Sequence, residues 1–322
     1  MDLEKEIMVS VVCITYNHEL FIEQAIQSIL SQKTSFKFEL IIHDDASPDN
    51  TQAIIKEYAE KYPSIIRPVL QKENQYSKGK GISQFYVPLC RGKYYAYCEG
   101  DDYWVDPYKL QKQVEYLESN PSIPAVSGRY NIIDKSGNII DVSHRSESLD
   151  RVFGSDDALR LGPSTLHPNT IMMRMSVQKS EEYMRGRRDC CILGGHTFMI
   201  YYLCSHGGVY IMSGVVGAWR RVIEENGTSY ASRSNQHPIT YNVQLLDMYT
   251  RYRTFFGAAY NFNDRISELA LGCVRSLITQ NEVNVKKTHE LVRLLNLLTP
   301  SDKARLIKLI IQKAQRRLLK YE

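Results

Sequence analysis

The sequence predicts an α/β fold: a Rossmann-like, mostly parallel sheet flanked by helices, with a helical C-terminal region. Three observations carry this. Strand and helix patterns alternate through the first half, which implies parallel strands joined by crossover helices. The first strand runs are almost continuously apolar, as in sheets covered on both faces. From about residue 236 onward only helical patterns remain.

The elements follow in order. Residues 7–15 (IMVSVVCIT) are a β-branched apolar run, read as a buried strand that Asn17-His18 ends. Leu20, Phe21, Ala25, Ile29 and Leu30 then repeat at helical spacing. Residues 38–43 (FELIIH) form a second strand running into Asp44-Asp45, and Asp49 is placed to cap a helix from about 52 to 61. Residues 65–70 are a short third strand, and 79–91 hold a helical stretch. Residues 93–98 (KYYAYC) form a fourth strand that opens directly into Glu99-Gly100-Asp101-Asp102. Pro107 suits the first turn of the next helix, to about Glu118. Residues 124–133 and 138–142 read as a hairpin around Ser136-Gly137. A loop with a short helix (143–163), a strand (170–174), a helix (197–205) and a final strand (208–219) complete the body. Helices are expected at 239–256, 264–279, 285–298 and 301–320. The domains are therefore placed at 1–235 and 236–322.

Composition narrows the function classes. Of 322 residues, 43% are hydrophobic and 24% charged, an ordinary globular balance that argues against disorder. The net charge of +4 is too mild for a dedicated nucleic-acid binder. It is also uneven: residues 303–322 carry seven Lys/Arg and one acid. Ile307, Ile310, Ile311, Ala314 and Leu318 alternate with those bases at helical spacing. A basic amphipathic helix of this kind lies on an anionic membrane surface, packs on the body, or pairs with another subunit. No run approaches the ~20 apolar residues of a membrane span. The seven cysteines contain no CxxC, which argues against a zinc site and for free, buried thiols in a reducing cytoplasm. The 22 tyrosines suit a wet, amphipathic cleft.

Chemistry concentrates where strands end. Ligands of doubly wound sheets bind beyond the carboxyl ends of the strands. Thr15-Tyr16-Asn17, Asp44-Asp45 and Asp101-Asp102 all fall there. Carboxylates of the last pair suit Mg²⁺ or Mn²⁺, which would neutralise a diphosphate leaving group. Asp44-Asp45 suits acceptance from a uracil N–H or a ribose hydroxyl. The alternative for both pairs is a turn with solvated acids. A phospho-acceptor receiver fold is much shorter and leaves the pair at 101–102 unexplained.

Taken together and in this order, VSVVCITYN, FELIIHDDASPDNT and KYYAYCEGDDYW resemble an inverting glycosyltransferase of family 2 with the GT-A fold, over roughly residues 7–230. The resemblance implies a nucleotide-sugar donor, usually uridine-linked, and a divalent metal. It assigns nucleoside contacts to Thr15, Tyr16, Asn17, Asp44 and Asp45. Glu99-Gly100-Asp101-Asp102 takes the DXD-like place, with Asp102 the metal ligand and Asp101 on ribose or metal. Two departures from the family pattern appear. The usual Arg-Asn-x-Gly element is replaced by Gln75 to Gly81, where Lys78 or Lys80 supplies positive charge. The usual Gly-Asp before the last strand reads Gly194-Gly195-His196, so His196 is the expected general base and Asp189 its rival. Arg220 and Arg221 are expected on the diphosphate, ahead of a closing loop at 226–229, and Trp104 and His167 on the acceptor side. The expected function is transfer of a hexose or N-acetylhexosamine from a UDP-sugar to a growing or lipid-linked glycan or a glycoprotein. The competing class is a non-catalytic nucleotide-binding partner subunit that has lost its base.

Overall fold

The computed structural model describes residues 6–145, 147–162, 166–222, 238–279 and 292–318. The chain divides into two compact units, 1–188 with 199–221, and 189–198 with 222–322.

The first unit is built on a ten-stranded mixed sheet. Strands β1 (Ile7–Thr15), β2 (Lys37–Asp44), β3 (Ile66–Leu70) and β4 (Tyr94–Glu99) pair in parallel, in the order β3-β2-β1-β4. Helices α1 (Ile22–Leu30) and α2 (Thr51–Lys61) make the crossovers between β1 and β2 and between β2 and β3. After α3 (Ser83–Tyr86) and β4 come β5 (Tyr103–Trp104), α4 (Lys109–Ser119), β6 (Ala125–Ile133), β7 (Ile139–Val142), β8 (Arg151–Phe153) and α5 (Ser155–Leu161). Strand β9 (Met172–Arg174) runs antiparallel between β4 and β6, and β10 (Val209–Arg220) pairs in parallel with β6. The expected hairpin of β6 and β7 is present. The core is the apolar interior of these layers, with Val9, Val11, Ile26, Leu40, Ile42, Leu110 and Val126 inaccessible to solvent.

Local chemistry sets the boundaries. Asp49 does not itself occupy the N-cap of α2. Asn50 does, while Asp49 Oδ1 accepts from the Thr51 N–H (3.0 Å) and the Thr51 hydroxyl (2.6 Å). Gly92 meets β1 so closely that a Cβ there would lie 2.4 Å from the Ser10 nitrogen. Beside it the Glu39 carboxylate, buried in β2, accepts from the Ser10 hydroxyl (2.7 Å), the Arg91 N–H (2.8 Å) and Arg91 Nε (2.9 Å).

Helices α6 (Met175–Gln178), α7 (Glu181–Cys190) and α8 (His196–Ser205) lie between β9 and β10 in sequence. The second unit is helical: α9 (Pro238–Phe256), α10 (Asn263–Thr279) and α11 (Pro300–Leu318). Its core is aromatic, with Phe198, Tyr249, Tyr252, Phe256 and Phe262 in edge and tilted ring contacts. Arg253 grips Asp302 with both terminal nitrogens (2.8 and 3.0 Å), joining α9 to α11. The tyrosine excess is thus partly structural: Tyr94, Tyr183, Tyr249 and Tyr252 are fully buried. None of the seven cysteines forms a disulfide among the described residues, and six are buried. Among the described residues no helix is long and apolar enough to cross a membrane. The loop at 226–229 lies outside the described residues, as does the first half of the helix expected at 285–298.

Candidate active site

Register places the sequence-predicted acids along the carboxyl ends of neighbouring strands. Thr15 pairs with Asp44, and Ile14 with Glu99. The following loops are tightly bent: Asn17 (φ 61°) and Ala46 (φ 64°) are non-glycine residues in the left-handed region, a strain that clusters at functional sites.

Asp44 and Asp45 organise this end. Asp44 Oδ1 accepts from the Ser47 N–H (2.9 Å) and Gln52 Nε2 (2.6 Å), and Oδ2 accepts from the Ser47 hydroxyl. Asp45 accepts from the backbone N–H groups of Gln75 (2.8 Å) and Tyr76 (3.0 Å), so it holds the loop that carries Lys78 and Lys80. The Lys78 ammonium pairs with Glu73, and Lys80 is exposed. Tyr16 and Tyr76 are both exposed.

The loop after β4 splits its acids. The Asp101 carboxylate lies 3.8 Å from His18 Nε2, and His18 Nδ1 lies 3.2 Å from the Thr15 hydroxyl. His18 therefore ties the end of β1 to the acidic loop, a role that sequence reading, which saw only a strand breaker, missed. Gly100 makes that approach possible: a Cβ there would lie 2.5 Å from Thr15 Oγ1 and 3.0 Å from His18 Nδ1.

Asp102 points the other way and is 1% exposed. Its Oδ1 accepts from the Arg220 N–H (2.8 Å) and its Oδ2 from Asn169 Nδ2 (3.1 Å). His167 Nδ1 lies 3.6 Å from Asp102 Oδ2, and His167 Nε2 lies 3.9 Å from Glu99 Oε2. Glu99, Asp102 and His167 each offer one ligand atom within 4.8 Å of the others. Burial first, then the charges of Asp101 and Glu99, push the Asp102 carboxyl well above the usual range, against the pull of Arg220. Glu99 is pushed up by burial and by Asp101, a shift moderated because about a third of its side chain meets solvent (36%). Close carboxylates that resist joint ionisation are relieved by a cation. Two carboxylate oxygens and an imidazole could hold a divalent cation. The cluster thus joins His167, expected on the acceptor side, to Asp102, and sets Asp101 beside His18 instead.

Other expected residues fall as follows. The Arg220 guanidinium does not face open solvent: Nε donates to the Asp101 carbonyl (2.9 Å), Nη1 to those of Asp134 (3.2 Å) and Lys135 (2.9 Å), and Nη2 to Gln24 (2.9 Å). It also stacks over Phe21 at 4.4 Å. Geometry makes it a clamp on the acidic loop, and Arg221 is the exposed arginine. Trp104 is 4% exposed and its indole N–H donates to the Asn169 carbonyl (2.7 Å), so it lies beneath the site. Asp189 and His196 belong to the second unit. Asp189 is exposed near the end of α7, where its carbonyl accepts from Arg251 (2.9 Å). His196 opens α8, and burial lowers its pKa below 6.5.

A Rossmann-like sheet with acids at its strand ends defines a class of nucleotide-binding enzymes, and comparison sharpens it. The family model for glycosyl transferase family 2 matches residues 10–180, so the chain belongs to that family. An uncharacterised protein of Mycobacterium tuberculosis is 42% identical over 130 residues, which are 40% of this chain and 36% of that protein. The chain thus spans little more than a third of that relative. A putative teichuronic acid biosynthesis glycosyltransferase of Bacillus subtilis, TuaG, is 32% identical over 54% of this chain and 63% of its own. The crystal structure of S. aureus TarS 1-349 in complex with UDP has the same fold, with a TM-score of 0.57 at 15% identity, covering 93% of this chain and 83% of that one.

Proposed function

We propose that the protein is a metal-dependent inverting glycosyltransferase that moves a hexose or N-acetylhexosamine from a UDP-sugar to a hydroxyl of a growing bacterial glycan. The observation that carries this is the convergence of Glu99, Asp102 and His167 at the same sheet edge as Asp44-Asp45. The UDP complex of TarS supports a uridine donor, and the name of TuaG supports a polysaccharide product.

Glu99, Asp102 and His167 would hold the metal, and Asp101, paired with His18, would face the ribose. When bound, it supplies positive charge against the diphosphate that leaves. The chain's own residues do the rest. Thr15, Tyr16 and Asn17 with Asp44 and Asp45 form a rigid edge for the nucleoside, since the carboxylates are held by Gln52, Ser47 and the 75–76 backbone. Lys80, Lys78 and Arg221 face the phosphates. Inversion requires a base that takes the acceptor proton as the hydroxyl attacks. His196 is assigned that role with Asp189 as its rival, because burial keeps the imidazole neutral and able to accept a proton. The test is UDP release from a panel of UDP-sugars with Mn²⁺, with and without EDTA. Turnover abolished by EDTA is expected. UDP binding without turnover of any donor contradicts the assignment and favours a non-catalytic subunit.

We also infer a peripheral membrane contact for α11. Asp302 and Leu306 face the unit's interior, while Ile307 and Ile310 are exposed, as are Lys303, Arg305 and Lys308. Co-sedimentation with anionic liposomes is expected for the full chain and not for one ending near Thr299. Equal sedimentation of the two excludes the contact.

A further inference from the structure

We propose that Lys109, Gln113, Trp104 and Asn169 are positioning residues: a buried brace that fixes the spacing of Asp102 and His167 and thereby the cation affinity of the site. The inference rests on the metal reading above. Asn169 is wholly buried, and its Nδ2 holds both Asp102 Oδ2 (3.1 Å) and the Ala218 carbonyl (2.9 Å). With Oδ1 held by the Arg220 N–H, the carboxylate plane is fixed from two sides. Asn169 is itself anchored through its carbonyl by the Trp104 indole N–H.

The anchor reaches further down. The Lys109 ammonium sits 4.1 Å from the Trp104 ring centroid, a cation–π contact in a dry setting. Lys109 is 0% exposed and donates to Gln113 Oε1 (2.8 Å). Gln113 Nε2 donates to the Thr170 carbonyl (2.8 Å), and the Thr170 hydroxyl donates to the His167 carbonyl (2.7 Å). Strand β5 and helix α4 thus grip the turn 167–170 at its C-terminal end, and the Thr170 hydroxyl carries that hold back to His167. One path runs through Trp104 to Asn169 and Asp102, the other through Gln113 and Thr170 to His167.

Stability alone does not explain this arrangement. A buried ammonium is costly, and an apolar residue of similar length fills such a site as well or better. Burial lowers the Lys109 pKa to about 7, which reflects that cost. The amine is placed where it orients an indole and an amide that each reach a ligand-bearing turn. Groups that hydrogen-bond to metal ligands hold them in place, and their loss costs roughly 10- to 100-fold in metal affinity.

The experiment titrates the apoprotein with Mn²⁺ and follows the free-ion electron paramagnetic resonance signal, with melting temperature measured alongside. Lys109→Met keeps the stem and removes the ammonium, while Trp104→Phe keeps an aromatic ring and removes the N–H donor. The expected result is Mn²⁺ affinity lower by roughly 10-fold or more in both variants, with the Lys109→Met melting temperature unchanged or raised. Wild-type affinity in a folded Trp104→Phe or Lys109→Met variant overturns the brace while leaving the metal reading intact. Affinity lost only in proportion to stability also overturns it, since that is a purely structural role. A wild-type protein that takes up no Mn²⁺ overturns both.

Discussion

Gly100 offers the sharpest structural perturbation. It sits between Glu99 and Asp101 at the crossing of the β1 and β4 ends, with its N–H on the Ile14 carbonyl (2.9 Å). In Gly100→Ala the new methyl would lie 2.5 Å from Thr15 Oγ1 and 2.7 Å from Thr15 Cβ, against an ordinary contact of at least 3.4 Å. Thr15 is buried, β-branched and paired with Asp44, so the acidic loop rather than β1 must give by most of an ångström. Overpacking of this kind costs about 1–3 kcal/mol of stability. A displacement of about 1 Å in a catalytic constellation costs roughly 10²-fold in turnover. Urea unfolding and UDP release from the best UDP-sugar donor measure the two effects. A Gly100→Ala variant with wild-type stability and turnover would refute the view that contact between these strand ends sets the acidic loop.

Three further outcomes follow from other parts of the molecule. Removing the buried Glu39 carboxylate (Glu39→Ala) leaves the Ser10 hydroxyl and the Arg91 N–H without their acceptor and is expected to cost about 1–3 kcal/mol in urea unfolding; an unchanged stability contradicts that role. Hydrogen bonds from Arg151 hold the Asp157 carboxyl down at about 2. A depressed carboxyl contributes stability that is complete above its unfolded value near 3.9 and is lost as pH falls toward about 2. Asp157→Asn should therefore lower stability at neutral pH and shallow the acid limb in that window, and an unchanged limb would count against the pair. His196→Ala is expected to abolish transfer and keep UDP binding, and wild-type kcat should rise to a plateau through an apparent pKa below 6.5, because burial favours the neutral imidazole. Full turnover in His196→Ala, with loss in Asp189→Ala, moves the base to Asp189.

The strand ends were legible because each apolar run stops at a polar residue. Thr15 closes β1 as expected, Asp44 closes β2 and Glu99 closes β4, each within one residue of expectation. Helix starts were less so, as Asp49 and Asn50 compete for one cap. The insertion of β9 between β4 and β6 left no local trace, since pairing across so many residues is decided by tertiary packing. The same holds for the site. Asp102 was visible as a carboxylate at a strand end, but its partners Asn169 and Arg220 are 67 and 118 residues away. Nothing in the sequence singles out Lys109, and only the packed structure turns it inward beneath Trp104. Likewise the tyrosines that suggested a cleft include several that fill cores, where ring contacts rather than hydroxyls decide their place.

Calorimetric titration of UDP into the protein with Mn²⁺, with Asp102→Asn in parallel, tests the central claim most directly. The account predicts binding that requires Mn²⁺ and weakens roughly 10-fold or more in the variant. UDP affinity that is indifferent to both Mn²⁺ and Asp102→Asn would contradict it.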